Sequence, residues 1–147
     1  MLGILNGYKT KVWKEVKDYL VDPEYHELFK VDGRFRGETK RVWQTVSEYP
    51  KRQGKYLRPS LLMLCCEALG GDPKKALKTA AAVQISEEWL LIHDDIEDNS
   101  LKRRGEACLH KKYGLGEALN AGYMLHMIMW RVLFDNKEIL GDELTFR

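Results

Sequence analysis

Cysteine and proline are scarce in this sequence, which has three cysteines and four prolines among its 147 residues. Cys65 and Cys66 are adjacent in an apolar run and Cys108 stands alone. An odd number of cysteines without metal-ligand spacing argues against a disulfide framework and against a zinc site. We therefore expect a reducing, cytoplasmic compartment. The first residues lack the pattern of a signal peptide, so no leader is expected.

Long apolar runs and a strong excess of one charge are also absent. No stretch approaches the about 20 apolar residues that span a bilayer, so we expect no stable insertion into a membrane. The formal net charge of +2 is too small to favour nucleic acid as a partner. With 44% hydrophobic and 31% charged residues, the composition is typical of a globular domain or part of a larger one.

No segment alternates apolar and polar residues in the way that predicts a sheet. Apolar residues recur at helical spacing instead, and prolines mark the boundaries. We expect Pro50 to stop a helix, Pro59 to be the first residue of one, and Pro73 to lie in the first turn of the next. The sequence therefore predicts an all-α helix bundle with antiparallel neighbours and no sheet. The predicted helices cover 12–20 with an end near 22–23, then 25–29, 38–49, 59–69, 73–98 and 115–134, with a further start at 142.

An acidic cluster follows the most apolar part of the predicted helix 73–98. Asp94 and Asp98 are four residues apart, so their carboxylates lie on one helix face and repel each other. A cation that bridges them removes the repulsion, and oxygen ligands point to Mg²⁺, which completes its shell with phosphate and water. The alternative is an acidic helix end in solvent. His93, just before the pair, is interpreted as a core side chain with satisfied hydrogen bonds.

Two basic segments accompany the acidic cluster. Lys55 and Arg58 precede a predicted helix start, where amide groups and cations together favour phosphate, although a solvated basic loop is the alternative. Arg103 and Arg104 follow the acidic helix and suit phosphate oxygens, although they could equally be counter-charges to it. A carboxylate pair, two basic segments and an apolar helix face together suit a substrate with a diphosphate head and a hydrocarbon tail.

These motifs resemble those of the polyprenyl synthetases, in an archaeal-type form. The segment 54–59, Gly-Lys-Tyr-Leu-Arg-Pro, is similar to the family's G-K-x-x-R-P motif. The segment 94–98, Asp-Asp-Ile-Glu-Asp, is similar to its first aspartate-rich motif, D-D-x-x-D, and the segment 103–105, Arg-Arg-Gly, follows at the usual distance. The resemblance implies the N-terminal half of the all-α isoprenoid synthase fold.

The resemblance also implies roles for the acidic motif. Asp94 and Asp98 would bind the Mg²⁺ that holds an allylic prenyl diphosphate, and Asp95 would complete or support this metal site. Arg103 would contact the same allylic diphosphate. The implied reaction ionises the allylic diphosphate to a carbocation, which the double bond of isopentenyl diphosphate attacks before a proton is lost.

A second set of residues is implied for isopentenyl diphosphate. Lys55, Arg58 and Arg104 would hold its diphosphate. Glu87 stands where the family usually has His or Gln in contact with this substrate. A carboxylate there would repel diphosphate unless it is protonated or paired.

The family's second aspartate-rich motif is not found within residues 135–147. We therefore interpret residues 1–147 as a partial isoprenoid synthase domain: the substrate-binding half of a trans-prenyltransferase, inactive or very slow alone. It is expected to form a homo-oligomer or to pair with a C-terminal half. The alternative is a non-catalytic subunit that binds prenyl diphosphate or regulates a full-length synthase. A terpene cyclase shares the fold and the acidic motif, but it would not need Lys55 and Arg58 because it does not bind isopentenyl diphosphate.

Overall fold

A computed structural model of the chain describes residues 2–21 and 30–146. The predicted short helix at 25–29, and the predicted end of the first helix at 22–23, lie outside these residues. The described part is mainly helical. Its helices are α1 (Leu2–Asp18), α2 (Arg36–Val46), α3 (Glu48–Arg52), α4 (Leu57–Ala68), α5 (Leu77–Glu97), α6 (Leu109–Lys112), α7 (Leu115–Phe134), α8 (Lys137–Leu140) and α9 (Asp142–Thr145), with a 3₁₀ turn at Gly33–Phe35.

Helix α5 is the central element of the bundle. It packs along α7 and also contacts α1 and α4. Ala80, Ala81 and Ala82 are buried near its beginning, and such small side chains allow neighbouring helices to approach closely. Ile85 and Ile92 continue the buried face toward the acidic end of the helix. Within the described part of the chain, no helix has the length and apolar character needed to cross a membrane.

The proline-based helix boundaries are wrong in detail. Pro50 does not stop a helix but is the third residue of α3, and Pro59 is the third residue of α4 rather than the first. Both lie in a first turn, where backbone N–H groups have no intrahelical partner, so proline removes no hydrogen bond there. Pro73 lies in a turn, and α5 begins only at Leu77.

The expectation of no sheet is also wrong at one place, although the all-α class is confirmed. Strand β1 (Lys102–Arg103) pairs with β2 (Glu106–Ala107) in a short antiparallel hairpin. Arg104 and Gly105, the two residues between the strands, have φ of 55° and 85°. Positive φ at both central positions is what a tight hairpin turn requires. The hairpin turns both arginines back toward the end of α5.

Helix α7 keeps an apolar stripe exposed. Tyr123, Met127, Trp130 and Phe134 recur every three or four residues, so they share one face of the helix, and all four are exposed. These four side chains form an apolar face that suits association with another chain. The homo-oligomer or pairing with a C-terminal half stays a prediction.

Candidate functional site

The acidic motif lies at the C-terminal end of α5. Asp94 is in the last turn and its side chain is 56% exposed, and Asp98 follows the last helical residue and is also exposed. The helix dipole makes this end unfavourable for negative charge and favourable for cations. Two exposed carboxylates one turn apart, at the negative end of a helix, form a local site that a cation would stabilise.

Asp95 has a different environment from its two neighbours. Its side chain is 1% exposed and accepts hydrogen bonds from the Tyr49 hydroxyl at 2.5 Å and from Arg103 Nε at 3.0 Å. Burial raises the pKa of Asp95, but these hydrogen bonds outweigh burial and bring the pKa below its usual value. A metal role for Asp95 stays a prediction, and its burial favours support of the site over direct ligation.

Arg103 links the buried and exposed carboxylates. Its Nη2 donates to Asp95 Oδ1 at 2.5 Å and lies 3.4 Å from Asp94 Oδ2. The side chain is 29% exposed. These contacts agree with the interpretation of Arg103 as a counter-charge to the acidic helix. Its partial exposure also leaves it accessible to an anion beside Asp94.

Tyr49 holds several parts of the site together, and the sequence analysis assigned it no role. It is fully buried in α3, and its hydroxyl donates to Asp95. Its backbone carbonyl accepts a hydrogen bond from Arg104 Nη1 at 3.0 Å. Burial and the bond to Asp95 raise the pKa of the Tyr49 hydroxyl, so it stays a donor. In the sequence, only its position beside Pro50 marks it.

Replacing Tyr49 with phenylalanine is expected to lower the free energy of unfolding by about 1–3 kcal/mol, because the buried Asp95 carboxylate loses a donor. Urea unfolding followed by circular dichroism measures the change. Replacing exposed Tyr123 with phenylalanine is the matched control, with an expected effect within about 0.5 kcal/mol. Equal effects of the two substitutions would show that the Tyr49 bond does not hold the site.

A buried ion pair lies below the hairpin, where the sequence analysis expected none. Glu88 is fully buried, and Arg104 donates to both of its carboxylate oxygens at 2.9 and 3.1 Å. Gln84 Nε2 donates to the same carboxylate at 2.7 Å. Burial raises the pKa of Glu88, and the Arg104 hydrogen bonds oppose this increase. Both terminal nitrogens of Arg104 already have protein partners. Its role in binding substrate stays a prediction.

Gly54 is required where the loop before α4 meets Arg104. A Cβ atom at Gly54 would lie 2.8 Å from Arg104 Nη2, which is too close for any other residue without displacement of the guanidinium. The Gly54 carbonyl accepts a hydrogen bond from Lys9 Nζ at 3.0 Å. The loop thereby presents Lys55, which is exposed and forms no ion pair with the residues that the structure describes.

Glu87 forms an ion pair with Arg58. The carboxylate at position 87 is therefore paired, which is one of the two conditions that the sequence set for it. Arg58 Nη1 lies 2.7 Å from Glu87 Oε1, and the Arg58 side chain is 70% exposed. The pair lines a groove of about 300 Å³ between α4, α5 and α7. The groove is otherwise mainly apolar, with walls from Ala82, Val83, Leu90, Leu91, Met129 and Leu133.

One face of α5 connects the groove to the acidic motif. Glu87, Leu91, Asp94 and Asp98 are spaced by four, three and four residues, so they follow one another along the same side of the helix. Glu87 and Leu91 of the groove and the two exposed carboxylates therefore follow one another on one continuous surface along α5.

The packing of His93 agrees with its interpretation as a core side chain, but its hydrogen bonds are not all satisfied. Its ring packs between Trp89 and Tyr123, and a Cβ at Gly122 would clash with its Nε2. This buried Nε2 has no hydrogen-bond partner among the described residues. His93 thus fills space against the backbone of α7 rather than completing a hydrogen-bond network.

Residues 39–142 match the family model named Polyprenyl synthetase, which covers most of the chain. The chain is 34% identical to the geranylgeranyl pyrophosphate synthase of Geoglobus acetivorans over 114 residues, 78% of this chain and 34% of that protein. It is 47% identical to the geranylgeranyl diphosphate synthase of Saccharolobus solfataricus over 94 residues, 63% of this chain and 28% of that protein. The chain spans about a third of the length of these relatives.

The fold agrees with these relatives. The solved structure of the geranylgeranyl pyrophosphate synthetase from Geoglobus acetivorans superposes with a TM-score of 0.75 at 28% identity, over 88% of this chain and 38% of that one. The family model, the sequence relatives and the structural similarity agree, and the chain therefore belongs to the polyprenyl synthetase family.

Proposed function

We propose that this domain is the substrate-binding part of a trans-prenyltransferase that condenses isopentenyl diphosphate with an allylic diphosphate. The observation that supports this most is the continuous surface along α5. It joins an exposed carboxylate pair, Asp94 and Asp98, to a groove with apolar walls that is also lined by a cation, Arg58. Such a surface suits molecules with a diphosphate head and a hydrocarbon tail.

The donor set fits Mg²⁺ shared with substrate. The described residues include no group of three His, Cys, Asp or Glu side chains arranged to hold a metal. Asp94 and Asp98 alone offer a pair of oxygen ligands, and Mg²⁺ is commonly held by one or two carboxylates together with substrate phosphate. When bound, Mg²⁺ would neutralise charge on a departing diphosphate.

The other residues of the site would bind and orient the substrates. Arg103, held in place by Asp95, would meet the allylic diphosphate beside Asp94. Lys55 and Arg58 would bind the diphosphate of isopentenyl diphosphate at the start of α4. Arg104 would contribute from the hairpin while it holds Glu88. The apolar walls of the groove would keep the hydrocarbon tail and the carbocation away from water.

Replacing both Asp94 and Asp98 with alanine is expected to abolish the effect of Mg²⁺ on diphosphate binding. In the unchanged chain, Mg²⁺ should tighten binding of an allylic diphosphate by roughly 5- to 150-fold, the usual range for coupled ligands. Isothermal titration calorimetry with and without Mg²⁺ measures this ratio.

Glu97 provides the control for that double variant. It is exposed on the same last turn of α5, so replacing it with alanine removes a nearby carboxylate without touching the proposed pair. The Glu97 variant should keep the Mg²⁺ effect. If the double variant keeps it as well, Asp94 and Asp98 are not the metal ligands and the proposed site is wrong.

A further inference from the structure

The ion pair that lines the groove does more than neutralise Glu87. Arg58 Nη1 is 2.7 Å from Glu87 Oε1, which is a charge-assisted hydrogen bond. A diphosphate that binds Arg58 needs the same guanidinium. Glu87 is also the less exposed partner, at 22% against 70% for Arg58, because it belongs to α5 whereas the long Arg58 side chain reaches out from α4. A ligand therefore meets Arg58 from the solvent side while Glu87 stays behind it.

We propose that Glu87 is an internal competitor for Arg58, which weakens the binding of a diphosphate at this groove. The inference rests on the proposed function, since it concerns the same cations, Lys55 and Arg58, which we call the basic cluster. A bound diphosphate would either displace the carboxylate from Arg58 or share the guanidinium with it. In both cases the ligand gains less from the guanidinium than it would from an Arg58 without a carboxylate partner.

Other cations do not relieve this competition. Lys55 is exposed and forms no ion pair within the described residues, so it is available to the ligand rather than to Glu87. Arg104 has both terminal nitrogens engaged by Glu88 and by the Tyr49 carbonyl. Glu87 therefore sets the affinity of the basic cluster through Arg58.

Replacing Glu87 with glutamine is expected to tighten the binding of inorganic diphosphate by roughly fivefold, the upper end of what an exposed ion pair contributes. Calorimetry in the presence of EDTA measures binding at the basic cluster without any metal-dependent contribution from the acidic motif. The Glu97→Gln variant makes the same change in net charge on the same helix, almost three turns away, and should leave affinity unchanged.

The background variant Arg58→Gln identifies the cause. If Glu87 competes for Arg58, the Glu87→Gln substitution should lose most of its effect once Arg58 is absent. A gain that persists undiminished in this background would instead be a long-range charge effect and would overturn the inference. Equal affinities of the unchanged chain and the Glu87→Gln variant would also overturn the inference about Glu87. If the Arg58→Gln substitution still weakens binding in that case, the proposed function stands. Absence of binding in every variant would contradict both proposals.

Discussion

Replacing Arg104 with methionine is expected to lower the free energy of unfolding by about 3–5 kcal/mol, the usual cost of leaving a buried charge without its partner. Glu88 is fully buried, and Arg104 donates to both of its carboxylate oxygens. Without the guanidinium, Gln84 remains as the hydrogen-bond donor to that carboxylate in the described structure. Guanidinium chloride unfolding at neutral pH measures the loss.

Two further variants show whether the ion pair is the cause. Adding Glu88→Gln to the Arg104→Met variant removes the uncompensated charge and should restore at least half of the lost stability. Arg58→Met is the matched control, because Arg58 is 70% exposed and its pair with Glu87 is expected to contribute only about 0–1 kcal/mol. If Arg104→Met is as stable as Arg58→Met, the buried pair is not what holds the hairpin against α5.

The 147-residue chain is expected to condense isopentenyl diphosphate with an allylic diphosphate at least 10²–10³-fold more slowly than the same domain joined to the downstream half of a relative. In the proposed reaction, ionisation develops negative charge on the departing diphosphate, and Asp94, Asp98 and Arg103 would stabilise it from one side. Loss of a single preorganised electrostatic group typically costs about 2.7–4 kcal/mol of transition-state stabilisation. Water entering from an open side would weaken the remaining interactions further.

Incorporation of labelled isopentenyl diphosphate, with an allylic primer and Mg²⁺, measures this difference. The downstream half can be supplied as a fused segment or as a separate chain. Restored synthesis would support the enzyme-half interpretation over a non-catalytic subunit. Rapid elongation by the 147 residues alone would show that one aspartate-rich motif is sufficient, and no gain from the downstream half would favour the non-catalytic alternative.

Much of the fold could be predicted where a helix is long and its pattern is unambiguous. The predicted helix 115–134 matches α7 in both bounds, and the predicted end of the long acidic helix near Asp98 is one residue from the end of α5. That Asp94 and Asp98 share one helix face also followed from their spacing. These features depend on local periodicity, which a single sequence contains in full.

Features that depend on contacts between distant segments could not be predicted in this way. Tyr49 resembles any apolar residue before a proline, and only folding brings its hydroxyl to Asp95. Glu88 resembles an exposed helical glutamate, and its burial depends on Arg104, sixteen residues away in a hairpin that the sequence did not predict. Arg104 adopts a positive φ although glycine is the usual residue for such a turn, so the usual hairpin signal was missing.

These contacts explain how the fold serves the proposed site. Asp95 is held from two sides, by Tyr49 of α3 and by Arg103 of the hairpin, which fixes the last turn of α5. The two exposed carboxylates on that turn are therefore presented on a rigid support, as a metal site requires.

The central claim, that Asp94 and Asp98 hold a divalent cation together with diphosphate, is tested most directly by anomalous diffraction. Crystals of the chain would be soaked with Mn²⁺, as a heavier substitute for Mg²⁺, and inorganic diphosphate. We expect an anomalous peak between the carboxylates of Asp94 and Asp98, with diphosphate density beside it and near Arg103. A manganese peak elsewhere, with none at this pair in accessible crystals, would contradict the account.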